Sequence, residues 1–146
     1  MKRALAAAVV VLFAACAGPR RSNAPAPEVK DPNLILVVSE AVAAPDEDGV
    51  SLTKVFVDGK EAGETAVGPK SVERTLKLKL PVGNQPIRLE QWTLPDVGEW
   101  TRLDDSLQPR ERFVRIEDGD AARLELRFAE GEASNALSLS RVPVSR

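Results

Sequence analysis

Thr75-Leu76-Lys77-Leu78-Lys79-Leu80 alternates apolar and polar side chains without a break. Successive side chains of a strand point to opposite faces, so a period of two puts Leu76, Leu78 and Leu80 on one side and both lysines on the other. On a helix Leu78 would fall on the face opposite Leu76 and Leu80. The segment reads as a half-buried strand with its lysines in water. Pro81-Val82-Gly83-Asn84 then turns the chain, because Pro and Gly supply the backbone angles that a turn needs. Residues 87–94 form the next strand, and there the phase slips. Ile87 and Leu89 share one parity, whereas Trp92 and Leu94 take the other. Either a β-bulge near Glu90-Gln91 restores the apolar face, or both faces are covered at that point.

Working outward, the same signals recur. Residues 34–38 (Leu-Ile-Leu-Val-Val) are continuously apolar, as expected of a strand buried on both faces. Residues 52–57 run into Asp58-Gly59, a two-residue hairpin signal. Residues 112–116 and 123–128 are two more strands joined through Glu117-Asp118-Gly119-Asp120, with Leu124, Leu126 and Phe128 inward and Arg123, Glu125 and Arg127 outward. A last strand over 137–144 is confined to an edge by Pro143. No segment carries helical spacing over three turns. About seven strands at roughly ten-residue intervals predict an all-β fold, an antiparallel β-sandwich of immunoglobulin- or transthyretin-like type.

The inventory narrows function. Among 146 residues there are 20 Lys+Arg and 22 Asp+Glu, no His, no Tyr and one Cys. Without His there is no imidazole base, no His metal ligand and no Ser-His or Cys-His nucleophile pair. One Cys excludes an intrachain disulfide and a thiolate metal cluster. A formal net charge of −2 lacks the basic footprint of a nucleic-acid binder. No phosphate loop, dinucleotide fingerprint or nucleophile elbow is present. The expectation is a protein that is not an enzyme and carries no cofactor.

Met1-Lys2-Arg3 precedes a twelve-residue apolar run from Ala4 to Ala15. A spanning helix needs about 20 apolar residues, so this run reads as a signal-peptide core. It ends at Ala14-Ala15-Cys16, on the only cysteine in the chain. Order and spacing resemble a bacterial lipoprotein precursor, in which small residues precede a Cys that is lipidated and becomes the mature N-terminus. The resemblance implies residues 1–15 as a cleaved signal peptide and two or more acyl chains on Cys16, enough for stable anchoring. Ala17 after the Cys, rather than Asp, points by the same resemblance to the outer membrane, facing the periplasm. Residues 17–33 contain four prolines and almost no large apolar side chain. With Cys16 they form a lipidated tether (16–33) reaching roughly 50 Å when extended, followed by the β domain (34–146). The mature chain keeps 18 basic and 22 acidic side chains, a net charge of −4, which stands the domain off from an anionic membrane surface.

Val55-Phe56-Val57-Asp58-Gly59-Lys60, then Gly63-Glu64-Thr65, then Leu78-Lys79-Leu80-Pro81-Val82-Gly83 and Ile87-Arg88-Leu89, resemble the PEGA family of small bacterial surface β domains. That resemblance implies a hairpin followed by a turn and strand, and brings no catalytic residues.

Trp92 and Trp100 flank Pro95-Asp96-Val97-Gly98. They are candidates for an aromatic platform taking a glycan or peptide, with Glu99, Asp104 and Asp105 as polar contacts; packing beside the turn is the simpler alternative. The acidic loops 46–49, 104–105 and 118–120 offer oxygen ligands, but the first lacks the alternate-position carboxylates and closing Glu of a calcium loop, and acidic turns are ordinarily solvated connections. The function expected is a non-enzymatic cell-envelope lipoprotein, anchored to the membrane through Cys16. Its sandwich would dock an envelope protein partner or the cell wall. A particular version is the lipoprotein subunit of a secretion machine, and the alternative is a glycan- or metal-binding module using Trp92, Trp100 and the acidic loops. Cys16→Ser is expected to move the protein from membranes to the soluble envelope fraction or to leave an unprocessed precursor. Unchanged fractionation, with no acyl mass on wild-type Cys16, would overturn the anchor.

Overall fold

The computed structural model describes residues 28–129 and 134–144. The expected signal peptide, Cys16 and the expected tether as far as residue 27 lie outside the described residues. Among those described, ten strands form two sheets. Strands β1 (Leu34–Glu40), β5 (Arg74–Leu78), β9 (Asp120–Phe128) and β10 (Asn135–Pro143) make one, ordered β10-β9-β1-β5. The other contains β2 (Val50–Val57), β3 (Lys60–Glu64), β6 (Gly83–Leu94) and β7 (Thr101–Arg102), ordered β3-β2-β6-β7, with β4 (Gly68–Pro69) also on β2 and β8 (Arg112–Ile116) also on β6. Leu34, Leu36, Val38, Leu76, Leu124 and Leu126 of the first sheet meet Val55, Ile87, Leu89, Val114 and Ile116 of the second in one core. The molecule is an all-β sandwich whose sheets keep open edges.

Two features depart from the expected plan. Strands β4 and β7, of two residues each, are too short to show in an apolar pattern, and β3 (Lys-Glu-Ala-Gly-Glu) has almost no apolar side chain to form one, which accounts for ten strands against about seven. The first sheet is also not wholly antiparallel. Strand β1 pairs antiparallel with β5 and parallel with β9, in register from Leu34↔Ala122 to Glu40↔Phe128. The reason is a crossing: β8 belongs to the second sheet, and the 117–119 turn carries the chain over to the first. A strand arriving from the other sheet has no hairpin to force it antiparallel.

Local chemistry explains the elements. Asp58 and Gly59, at φ of 49° and 73°, form the two-residue loop between Val57 and its partner Lys60; positive φ at both positions matches the twist of the flanking strands. Central β1 buries Leu34, Leu36 and Val38 inward, and Val37 on its outer face is also buried. Val37 lies opposite Glu125, whose carboxylate accepts from Arg123 Nε at 2.8 Å and Arg127 Nη2 at 2.9 Å. Those two arginines, Arg123 first, hold the Glu125 carboxyl below its ordinary value. Strand β10 lies at the edge and ends on Pro143.

The opening alternation holds with one correction. Leu76 and Leu80 are buried, while Leu78 is only half-buried and packs at the margin of the core. Gly63 of β3 leaves room for it, since a Cβ there would lie 3.1 Å from Leu78 Cδ2. Leu80 lies beyond the end of β5, and its backbone is held by a side chain. Asn33 Nδ2 donates to the Leu80 carbonyl at 2.8 Å, and the Leu80 N–H donates to Asn33 Oδ1 at 2.7 Å. Asn33 also donates its N–H to Leu78 and accepts from Ala122. Assigned by composition to the tether, Asn33 is buried and is fixed to both neighbours of β1.

These packings set expected stabilities. Leu126→Ala and Leu76→Ala each cost about 2–5 kcal/mol. Lys77→Ala and Glu125→Ala stay within about 0.5 kcal/mol, because Lys77 is exposed and the half-buried Glu125 pairs with arginines that reach solvent, and such ion pairs contribute little. Chemical denaturation of the four variants checks the contrast, and a Lys77→Ala loss equal to that of Leu76→Ala would refute the facing.

Candidate functional site

The slip of phase in β6 is where the sandwich stops being ordinary. The register of β2 on β6 is unbroken from Val50↔Leu94 to Val57↔Ile87, so no bulge intervenes and both faces are covered instead. Ile87 and Leu89 face the core, and Gln91, next on that face, is fully buried beside Thr53 and Ser51 of β2. The inner face therefore turns polar toward one end of the sandwich. From the opposite sheet come Arg74, at the start of β5, and Glu40, at the end of β1, with side chains 3% and 8% exposed.

These groups form one network. Ser51 Oγ donates to Glu40 Oε1 at 2.6 Å and Gln91 Nε2 donates to the same oxygen at 2.7 Å. The Arg74 guanidinium donates to Glu40 Oε1 and to Ser51 Oγ. Thr53 Oγ1 donates to Gln91 Oε1 at 2.5 Å, and the Thr53 N–H donates to Thr65 Oγ1 at 2.9 Å. On the edge of β6, the Gln108 carboxamide acts as a strand would. Its Oε1 accepts the Gln91 N–H at 2.8 Å while its Nε2 donates to the Gln91 and Leu103 carbonyls. Sequence reading missed Glu40 and Arg74. A signal existed for the latter, since it shares parity with Leu76 and Leu80 and so has to point inward.

The other face of the same strands carries the aromatic residues. Phe56 and Lys54 of β2, Arg88, Glu90 and Trp92 of β6, Arg102 of β7 and Phe113 of β8 lie on it. The Arg88 guanidinium lies 4.2 Å from the Phe56 ring centroid, and Lys54 Nζ lies 5.6 Å from that of Trp92. Both are stacked cations. Glu90 gathers the centre: Arg88 pairs with it, Trp92 Nε1 donates to it at 3.2 Å, and Arg102 Nε approaches to 3.4 Å. Phe113, opposite Pro86, is 75% exposed.

Of the residues expected to bind a ligand, Trp92 and Asp105 are joined. Asp105 accepts from Arg102 Nη1 at 2.6 Å, and Arg102 reaches Glu90 and so Trp92. Trp100 is half-buried two residues before Arg102, and Asp104 is exposed ahead of the 3-10 turn Asp105–Leu107. In the 46–49 loop, Asp48 accepts from the Ser71 N–H at 2.8 Å and Oγ at 2.6 Å. Those bonds to Ser71 hold its carboxyl below the ordinary Asp value and tie the loop to the β4–β5 connection. Among the described residues no three His, Cys, Asp or Glu side chains gather in a metal-holding group. None of their helices is long and apolar enough to cross a membrane.

Removing one member of a buried ion pair strands the other, at a cost of about 3–5 kcal/mol. Arg74→Met is expected to lose that much in denaturant melts, and Arg74→Met with Glu40→Leu to regain most of it. A double variant no more stable than the single one would refute the pairing.

No protein-family model, curated protein or solved structure gives a significant match to the chain.

Proposed function

We propose that this chain is a lipid-anchored cell-envelope protein, not an enzyme, whose sandwich binds a protein partner through the outer face of the β2–β6–β8 sheet. The observation that carries this reading is the placement of its aromatic residues. Beyond the leader run the chain has Phe56, Trp92, Trp100, Phe113 and Phe128. Only Phe128 of these packs against the core, whereas Phe56, Trp92 and Phe113 share one outer face with Arg88, Arg102 and Lys54. A sheet gains stability by turning its large apolar side chains inward, and here the core is filled by Leu, Val, Ile and Ala. Aromatic and Arg side chains are the residues enriched in protein interfaces and in their energetic centres. Phe113 contributes little to its own fold at such exposure and is placed to fill a partner's pocket.

The two tryptophans serve a glycan less well. Stacking on a sugar requires a free ring face, and Lys54 stands over Trp92. In this reading the anchor on Cys16 and the proline-rich tether hold the domain near the membrane, and its net negative charge stands it off from an anionic lipid surface.

A photo-reactive phenylalanine analogue at position 113 is expected to give a discrete adduct in intact envelopes. The same analogue at Val97, on the loop before β7, is expected to give none. The adduct disappears with Arg115→Glu, which reverses an exposed charge on the same face two residues from Phe113, while the melting temperature holds within a few degrees. Equal adducts from 113 and 97, or adducts indifferent to Arg115→Glu, would refute this use of the face.

A further inference from the structure

A cavity of about 490 Å³ opens at the polar end of the sandwich, on the core side of β6 and away from the aromatic face. That volume lies in the range of small-molecule sites. Val42, Leu103, Leu107 and Phe128 give it an apolar wall, and Glu40 also lines it. The three hydrogen bonds to the Glu40 carboxylate all converge on Oε1. Oε2 is thus the oxygen left to accept, on a side chain 8% exposed. A carboxylate oxygen in such a setting forms its strongest bonds with an N–H or O–H donor.

Charge decides which donor. Glu40 is already neutralised by Arg74, and the remaining charged residues of the lining, Glu47 and Lys70, are of opposite sign. An ammonium group placed at Oε2 would bring a second cation beside the Arg74 guanidinium in a poorly solvated site, where like charges repel strongly. An uncharged donor meets no such repulsion. We propose that this cavity binds an uncharged, mainly apolar group ending in a single hydrogen-bond donor, of the indole or phenol kind, with Glu40 Oε2 as the acceptor. The group is either a free small molecule or an aromatic side chain presented by a partner. The site is distinct from the aromatic face of the proposed function and does not rest on it.

The test is amide chemical-shift titration of the purified ¹⁵N-labelled full chain. Indole is expected to shift Thr93, Leu103, Leu107 and Phe128 saturably. 1-Methylindole, which lacks the N–H, and tryptamine, which carries an ammonium, are each expected to bind about tenfold more weakly or worse. Leu107→Trp, which occupies the cavity while leaving Glu40 and Arg74 unsubstituted, is expected to abolish the shifts and leave the remaining spectrum folded. An acetylated and amidated Gly-Trp-Gly peptide that matches indole assigns the group to a partner's side chain, whereas binding of indole alone assigns it to a free small molecule. The proposal is overturned if indole leaves those four amides unmoved, if its shifts survive Leu107→Trp, or if 1-methylindole or tryptamine binds as tightly as indole.

Discussion

The ion pair between Arg74 and Glu40 constrains more of this sandwich than any single leucine. A guanidinium and a carboxylate withdrawn from water require donors and acceptors on every side. Ser51 and Gln91, buried where β2 and β6 would otherwise present aliphatic side chains to the core, supply part of that demand, and Arg74 Nε is left buried without a hydrogen-bond partner among the described residues. The core is therefore apolar over most of its length and hydrogen-bonded at one end. A polar end costs hydrophobic area but sets the relative position of the two sheets, because hydrogen bonds are directional and apolar contacts are not.

That constraint propagates outward along β6. Once Gln91 is committed to the interior, strand alternation places Glu90 and Trp92 on the opposite face. Trp92 is then held there by Lys54 above its ring and Glu90 at its indole nitrogen. The aromatic face and the cavity beside Glu40 are two sides of one decision about parity, separated by the thickness of a single sheet. This places the aromatic face and the cavity on opposite sides of the same strand, the cavity being completed by Val42, Leu103 and Leu107 from the connecting segments.

The legible parts of the sequence were those where pattern and burial coincide. The alternation of 123–128, the Asp58-Gly59 hairpin and the edge position of the strand ending at Pro143 follow from periodicity and turn chemistry, and all three stand. Leu78 was misjudged because period two gives a side chain's direction but not the depth of cover above it, and β5 lies at an edge. Asn33 was hidden in a proline-rich context, although its side chain stands in for a strand's backbone. Glu40 and Arg74 escaped because they lie 34 residues apart in the chain, so their partnership exists only once β1 and β5 are paired. The parallel pairing of β1 with β9 has no local signature at all. Of the expected ligand residues, Trp92 and Asp105 share a chain of contacts because β7 pairs with β6, a pairing of two residues that no pattern could show.

The position of β1 has a mechanical meaning. The chain leading into the domain enters it at Asn33, at the start of a strand hydrogen-bonded along both sides, antiparallel to one neighbour and parallel to the other. A pull on that leading segment cannot peel β1 away one rung at a time, as it could an edge strand. It has to shear two ladders at once, together with the Asn33 clamp on Leu80, so load is shared across many bonds before any yields. Against a load applied from its N-terminal side, the domain's first strand occupies the place in the sheet best able to bear it.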